Sequence, residues 1–211
     1  MYLPPYFAEA RPAELHRIIR EHPLGMLVTH TAAGLDASHL PFVLDPGRGP
    51  CGTLQAHIAR ANELATAVPD GAPVLVVFRG AHGYVSPSWY PSKQETHRSV
   101  PTWNYEVVHA HGRLRLRDDA GFVGALVARL TALHEAAEPH PWKMADAPRD
   151  YIEQMLRSVI GLEVELTSLI GKRKLSQNRE GRDIGGVIDA LRQRGRPELA
   201  TAVARANDPP R

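Results

Sequence analysis

The stretch from residue 160 to residue 170 constrains the fold more than any other part of this chain, because apolar and polar residues alternate along it. Successive side chains of a β-strand point to opposite sides, so a period of two indicates a strand with one buried face. The pattern predicts Ile160, Leu162, Val164 and Leu166 on the inner face and Glu163, Glu165 and Thr167 on the outer face.

A second stretch, from residue 105 to residue 117, alternates in the same way. Its apolar positions are Val108, Ala110, Leu114 and Leu116, and its polar positions are His109, His111, Arg113, Arg115 and Arg117. Shorter strand patterns at residues 24–30, 35–45, 52–60 and 73–80 are separated by turn residues. About six strands with hairpin-length connections favour a mainly β fold of the α+β class, an antiparallel sheet or small barrel with peripheral helices.

Helical patterns fill most of the remaining chain. Residues 12–22 and 118–138 carry apolar side chains at helical spacing, and shorter helices are predicted at residues 59–68, 148–156, 184–195 and 197–207. The last two follow the final strand and give the chain a helical C-terminus. We therefore predict one barrel domain over residues 1–180 and a short helical extension over residues 181–211.

The composition excludes several protein classes. The chain has 211 residues, a formal net charge of +2 and one cysteine, Cys51. Such a charge does not demand a nucleic-acid partner, and a single cysteine excludes an intrachain disulfide framework and any CxxC motif. The N-terminus lacks a basic segment followed by an apolar run, and no stretch approaches the ~18 apolar residues of a membrane span. We expect a cytoplasmic protein with no membrane partner.

Two apparent motifs carry little weight. The glycines of GRGPCG at residues 47–52 have the spacing of a dinucleotide-binding loop, but neighbouring prolines place them between strands rather than between a strand and a helix. His109 and His111 share one strand face, yet Arg113 and Arg115 continue that face and would repel a cation. We expect no metal site.

Two other segments favour an anion. Arg60 and Asn62 lie at a predicted strand-to-helix junction, where free backbone N–H groups and an arginine would bind a phosphate. A plain surface arginine is the alternative. The segment KRKLSQNR at residues 172–179 combines cations with hydrogen-bonding side chains, so it would contact a ligand or a second subunit, or else form a solvated face.

The segment YVSPSWYPSKQETHRSVPTWNY at residues 84–105 concentrates aromatic residues between prolines. Trp89, Tyr90, Trp103 and Tyr105 would stack on a flat heteroaromatic ring, and neighbouring hydroxyl and amide groups would bind its edge. The alternative is a proline-stiffened loop whose aromatic residues cover one end of the barrel.

Six blocks follow one another in a specific order. They read ASHLPF at 37–42, AHIARAN at 56–62, YVSPSWYPSK at 84–93, VPTWNYEVVHAHG at 100–112, PW at 141–142 and GKRKLSQNR at 171–179. Together they resemble the PaiB family, described as FMN-binding negative transcriptional regulators. The Asn-Pro that usually ends the second block reads Asn62-Glu63 here.

The resemblance implies a split β-barrel of the FMN-binding type, shared with pyridoxamine-phosphate oxidase and flavin reductases, over residues 1–180. It also implies a homodimer with FMN, in preference to haem, at the interface between subunits. FMN supplies both chemical features that the sequence is suited to bind, a planar ring and a phosphate.

The resemblance further implies which residues bind the cofactor, whereas no residue stands out as a catalytic acid or base. One end of the FMN would lie near Ser38, His39, Arg60 and Asn62. The ring and ribityl chain would contact Trp89, Lys93, Thr102, Trp103 and Asn104. From across the dimer, the contacts would come from Lys174, Gln177 and Arg179.

Three functions are compatible with these features. An FMN-binding regulator would repress genes through DNA or a protein partner, although the chain has no clear DNA-binding motif beyond Arg192, Arg194 and Arg196 in the C-terminal helices. An FMN-dependent oxidoreductase would act on a small molecule through the chemistry of the flavin. A haem-binding or haem-degrading split-barrel protein would need an axial ligand such as His57 or His109.

Overall fold

The computed structural model describes residues 1–208. Eight strands lie in this part of the chain, and three of them are much longer than the rest. The strands are β1 Ala8–Glu9, β2 Leu24–Thr31, β3 Gly34–Pro41, β4 Val43–Asp45, β5 Thr53–Ala59, β6 Pro73–Val85, β7 Thr102–Arg117 and β8 Val159–Lys174.

Seven α-helices connect or flank these strands within residues 1–208. They are α1 Pro12–Glu21, α2 Leu64–Ala67, α3 Ser92–Thr96, α4 Ala120–Glu135, α5 Arg149–Arg157, α6 Gly181–Gln193 and α7 Pro197–Asn207. The sequence patterns predict six of them and miss α3, which lies in the proline-rich loop between β6 and β7. Just beyond the last turn of this short helix, His97 adopts a left-handed conformation (φ 54°) that closes the helix.

The strands form one sheet in the order β3-β2-β6-β7-β8-β5-β4, and β1 pairs with β8 at its far end. β2 pairs antiparallel with β3 and β6, and β5 pairs antiparallel with β4 and β8. The predicted fold, mainly β with peripheral helices, is therefore present. The two-residue strand β1 is too short to show a period in the sequence.

One predicted strand is divided in the structure. The sequence pattern predicts a continuous strand over residues 35–45, but β3 ends at Pro41 and β4 begins at Val43. Phe42 between them is buried, with 2% of its surface exposed, and its N–H donates to the Pro23 carbonyl at 2.9 Å. Burial of this ring and its backbone bond turn the chain from one strand to the next.

The chain divides into two compact units, and β6, β7 and β8 run through both. Unit 1 comprises Met1–His22, Phe78–Val108 and the described part of Ile170–Arg211. Unit 2 comprises Pro23–Val77 and His109–Leu169. The predicted division of the chain at residue 180 stays a prediction, and residues 209–211 of the predicted extension lie outside the described residues.

Unit 1 has a core in which α6 and α7 pack against the loop that follows β6. The buried residues include Val85, Tyr90, Leu175, Val187, Leu191, Leu199 and Val203. Gly186 permits this close packing, because a Cβ at that position would lie 2.2 Å from the Trp89 carbonyl oxygen. Only glycine therefore fits between α6 and that loop without a backbone shift.

Unit 2 contains the β2–β3 hairpin, the β4–β5 pair and α4. One prediction about the part of β8 in this unit is wrong. Glu163, predicted on the outer polar face, is 1% exposed. Its carboxylate accepts hydrogen bonds from Gln55 Nε2 at 2.6 Å, from Arg117 Nη1 at 2.7 Å and from Arg48. These partners cover the polar face at its centre, whereas Glu165 and Thr167 are exposed as predicted.

Candidate functional site

The cations at the end of β8 lie on opposite faces of the strand, because successive side chains of a strand alternate in direction. Lys172 and Lys174 point to one side of the strand and Arg173 points to the other. Arg173 is 3% exposed and is neutralised by carboxylates: its Nε donates to Glu106 at 2.8 Å, and its Nη1 lies 3.2 Å from Glu14 and 3.4 Å from Glu9. Arg173 is thus part of a buried ionic network, within which its Nη2 has no hydrogen-bond partner among residues 1–208.

Lys172, Lys174 and Arg179, here called the cationic cluster, differ from Arg173 in their partners. No ion pair links any of them to a carboxylate of the described residues 1–208. The Lys172 ammonium donates to the Tyr2 carbonyl at 2.9 Å and lies 5.4 Å from the centre of the Tyr105 ring. Neutral oxygens and ring faces therefore surround a positive charge that only an anion would balance.

Lys174 and Arg179 complete the cluster. The Lys174 ammonium donates to the Trp103 carbonyl at 2.9 Å and to the Thr102 hydroxyl. The Arg179 guanidinium lies 4.7 Å from the centre of the Tyr90 ring. Burial, together with the charges of Lys172 and Arg179, lowers the pKa of Lys174 below the ordinary lysine value. An anion placed among these three groups would relieve their mutual repulsion.

Hydrogen bonds fix the backbone that carries the cluster. The buried Asn104 donates from Nδ2 to the Ser176 hydroxyl at 2.9 Å. Gln177 accepts at Oε1 from the Leu175 N–H at 2.7 Å and donates from Nε2 to the Arg173 carbonyl at 2.5 Å. Ser176 has φ 69°, a left-handed conformation that is uncommon for serine. Such strain persists only where surrounding contacts impose it, so the loop after β8 is preorganised.

Aromatic side chains lie on the elements next to the cluster. Trp103 is 49% exposed and stacks on His82 with ring centroids 6.0 Å apart. Tyr90 is 1% exposed, and its hydroxyl makes no hydrogen bond of ordinary geometry within the described residues. Burial raises the pKa of Tyr90 above that of a free phenol. The exposed indole of Trp103 is a group that a polar aromatic ligand would engage, whereas the Tyr90 phenol is buried in the core of unit 1.

Two further residues of the predicted set also belong to unit 1. Trp89 is half-buried and packs against Arg194, whose guanidinium lies 4.8 Å from a Trp89 ring centre, so one face of this indole is already covered. Lys93 lies on α3, is half-buried and has no carboxylate partner among residues 1–208.

The remaining four predicted residues lie in unit 2. Arg60 forms two hydrogen bonds of 2.6 Å to Asp118, and its Nε donates to the Arg157 carbonyl at 2.9 Å. Asn62 Oδ1 accepts from the Leu64 N–H at 2.9 Å and so forms a local turn just before the short helix α2. Ser38 is half-buried and His39 is exposed, both on β3. Arg60 and Asn62 are thus already satisfied by the protein.

The structure therefore brings together Thr102, Trp103, Asn104, Lys174, Gln177 and Arg179, because β7 and β8 are neighbours in the sheet. The sequence patterns already mark Tyr105 as a stacking residue and place Lys172 and Ser176 in a polar segment, but none of the three is among the cofactor contacts that the family resemblance implies. Alternation along β8 is a signal that would have found Lys172, since it pairs Lys172 with Lys174 and separates both from Arg173.

The part of the chain that the structure describes contains neither a cluster of metal-binding side chains nor a membrane-spanning helix. No group of three or more His, Cys, Asp or Glu side chains in this range is placed to hold a metal ion. No helix in this part of the chain is long and apolar enough to span a membrane. His57 has a buried Nδ1 without a hydrogen bond, and burial lowers the pKa of both His57 and His109.

Comparison with known sequences places these features in a family context. Residues 1–168 match a family model described as "Putative FMN-binding domain". The chain is 34% identical to an uncharacterized protein of Aspergillus fumigatus, over 97% of this chain and 95% of the relative. It is 29% identical to the protease synthase and sporulation protein PAI 2 of Bacillus subtilis, over 93% of this chain and 92% of the relative.

Comparison with solved structures confirms the predicted split-barrel fold. The flavocytochrome Anf3 of Azotobacter vinelandii superposes with a TM-score of 0.60, covers 83% of this chain and 71% of its own, and is 14% identical. At this identity the likeness concerns the fold alone. The family match ends at residue 168, so Lys172, Lys174 and Arg179 lie beyond it, within the span covered by the relatives.

Proposed function

The chain belongs to the FMN-binding domain family, and from this premise we propose that it is an FMN-binding protein that acts as a negative transcriptional regulator of the PaiB type. The observation that carries the proposal is the cationic cluster, three cations without a carboxylate partner among residues 1–208, beside exposed and half-buried aromatic rings.

The residues present fit the chemistry of FMN. Lys174 and Arg179 supply charge-assisted hydrogen bonds to a phosphate, the contact that such groups make best. Trp103 supplies an exposed ring for stacking. Bound FMN would provide redox chemistry, while these side chains bind and orient it.

The oligomeric part of the proposal is a homodimer that holds FMN at its subunit interface. Supporting it, unit 1 exposes Tyr6 at 70% and two aromatic side chains that lie beside the cationic cluster, Tyr2 at 84% and Trp103 at 49%. Aromatic residues are enriched in protein interfaces, and exposed patches of this kind mark contact sites. A dimer by light scattering that survives dilution would support this part, and a monomer at all concentrations would refute it.

The regulatory role would depend on a protein partner. Binding of DNA by α6 and α7 is disfavoured by the contacts of their arginines. Arg194 packs on Trp89, and Arg196 Nη2 donates to the His82 carbonyl at 2.7 Å. The apolar face of α7, which includes Leu199 and Val203, is buried in the core of unit 1. Two of the three arginines and one face of this helix pair are therefore committed to internal contacts, which favours a protein partner.

The test is a titration of the purified chain with FMN, followed by flavin fluorescence. Lys174→Ala and Arg179→Ala should each weaken binding about ten- to hundred-fold, since each removes a hydrogen bond to a charged group worth ~1.5–3 kcal/mol. The matched controls are Lys143→Ala and Arg129→Ala, which remove exposed cations in unit 2. If cluster variants and controls bind FMN equally, the assignment fails; if the unaltered chain binds no FMN, the cofactor proposal fails.

Arg60 is tested separately. Because its guanidinium is already held by Asp118 and by backbone carbonyls, we expect Arg60→Ala to change FMN affinity by less than either cluster variant. A larger loss would place the phosphate at the β5–α2 junction instead. Steady-state oxidation of NADH or NADPH by the FMN-loaded protein would favour an oxidoreductase over a regulator.

A further inference from the structure

Unit 1 contains a cavity that shares no residue with the cationic cluster. Its volume is about 250 Å³, and it lies among the end of α1, β6, β7 and α7. The lining is strongly charged, with three carboxylates, two guanidinium groups and one imidazole. These groups belong to Glu21, Glu106, Glu198, Arg17, Arg205 and His22.

Glu106 is the buried group of this cavity, with 1% of its surface exposed. Its Oε1 accepts from both Arg17 Nη2 and Arg173 Nε, each at 2.8 Å. Its Oε2 accepts no hydrogen bond from any described residue. Arginine donors therefore crowd one oxygen and leave the other without a partner, although a buried carboxylate oxygen is normally satisfied.

Gly80 allows Glu106 and His22 to pack closely against β6. A Cβ at position 80 would lie 3.3 Å from Glu106 Oε2, 3.1 Å from Glu106 Cβ and 3.2 Å from His22 Cδ2. These distances are tighter than ordinary contacts, so a larger residue would press on the carboxylate and the imidazole together. Glycine at position 80 therefore fixes where the Glu106 carboxylate lies relative to β6.

In the outer part of the cavity, two pairs of charged groups are too far apart to form hydrogen bonds with one another. Glu198 Oε1 is 3.6 Å from His22 Nε2, and Arg205 Nη1 is 3.7 Å from Glu21 Oε1. Both separations exceed a hydrogen bond, so Glu198 and Arg205 are available to a ligand. Arg17 is not available, because its three nitrogens already face Glu14, Glu21 and Glu106.

We propose that this cavity binds a small metabolite that carries both a primary amine and a carboxylate. The ammonium group donates to Glu106 Oε2 and Glu198, and the carboxylate accepts from Arg205. A volume below the ~300 Å³ of the smallest drug-sized pockets limits the ligand to a compact amino acid. The guanidinium groups exclude a bare dication, and the three carboxylates exclude a simple anion.

The probes are glycine, β-alanine and γ-aminobutyrate, which separate the two charges by increasing distances. Butyrate, which lacks the amine, and butylamine, which lacks the carboxylate, are the matched controls. In calorimetric titrations of the full chain, at least one of the three amino acids should bind at least ten-fold more tightly than either control. No binding of any amino acid up to about 10 mM would overturn the proposal, as would butyrate or butylamine binding equally well.

Variants locate the binding. Glu198→Gln and Thr201→Phe alter exposed positions of α7, so the fold is retained, and each should weaken binding ten-fold or more. Glu138→Gln, an exposed change in unit 2, should have no effect. Glu106→Gln should abolish binding if it folds, and the α7 variants decide the question if it does not. Unchanged affinity in both α7 variants would overturn the proposal, whatever the FMN titrations show.

Discussion

Replacing Gly186 with alanine should destabilise the protein, whereas the same change at the adjacent Gly185 should stabilise it. Both residues lie in α6, so alanine gains the same helix propensity at each, up to about 1 kcal/mol relative to glycine. Their surroundings differ. A Cβ at Gly186 would lie 2.2 Å from the Trp89 carbonyl oxygen and 3.1 Å from Pro91 Cδ, whereas a Cβ at Gly185 meets nothing within 4 Å.

The difference between the two variants measures the steric cost alone, because the propensity gain cancels. A backbone oxygen cannot rotate away from the new methyl group, so either α6 or the loop that carries Trp89 must move. Overpacking of this kind costs ~1–3 kcal/mol. For a chain of this length 1 kcal/mol corresponds to roughly 2–4 °C in Tm, so the two melting temperatures should differ by roughly 2–12 °C.

Thermal melts followed by circular dichroism, with urea titrations of the same samples, measure this difference directly. Gly185→Ala should melt at or above the temperature of the unaltered chain and Gly186→Ala well below it. Equal melting temperatures for the two variants would refute the close packing of α6 against Trp89. The core of unit 1 would then have to be arranged differently.

Two further predictions follow from the charged groups. FMN affinity should fall as the pH rises through the lowered pKa of Lys174, because only the ammonium form binds phosphate; fluorescence titrations at increasing pH should show this loss in the unaltered chain and not in Lys174→Ala. Burial would raise the pKa of Glu163, but hydrogen bonds from Arg48 and Gln55 hold it below the ordinary value of 4.5. Its stabilising contribution is therefore present above pH 4.5 and is lost as the pH falls through the folded-state pKa. Urea titrations of Glu163→Gln should show ~1–3 kcal/mol less stability at neutral pH and a smaller loss on acidification, and an unchanged midpoint would contradict the buried network.

Local sequence patterns are sufficient to predict the class of fold and most of its elements. Alternation along β7 and β8 and apolar spacing along α4 are readable because each element buries one face against a core. The six ordered blocks between residues 37 and 179 are likewise sufficient to indicate the family. The cofactor prediction, FMN, is supported by the family match.

The partners of the charged side chains, in contrast, are set by the tertiary structure. In the sequence, Lys172, Arg173 and Lys174 form one basic run. In the structure, Arg173 is the member of this run that pairs with carboxylates, those of Glu9, Glu14 and Glu106. The sequence around Arg60 predicts a free cation that binds phosphate. In the structure, Arg60 is paired with Asp118, which is 58 positions away in sequence. Periodicity depends on neighbours along the chain, whereas charge compensation depends on strand pairing and on contacts between distant segments, which no local pattern encodes.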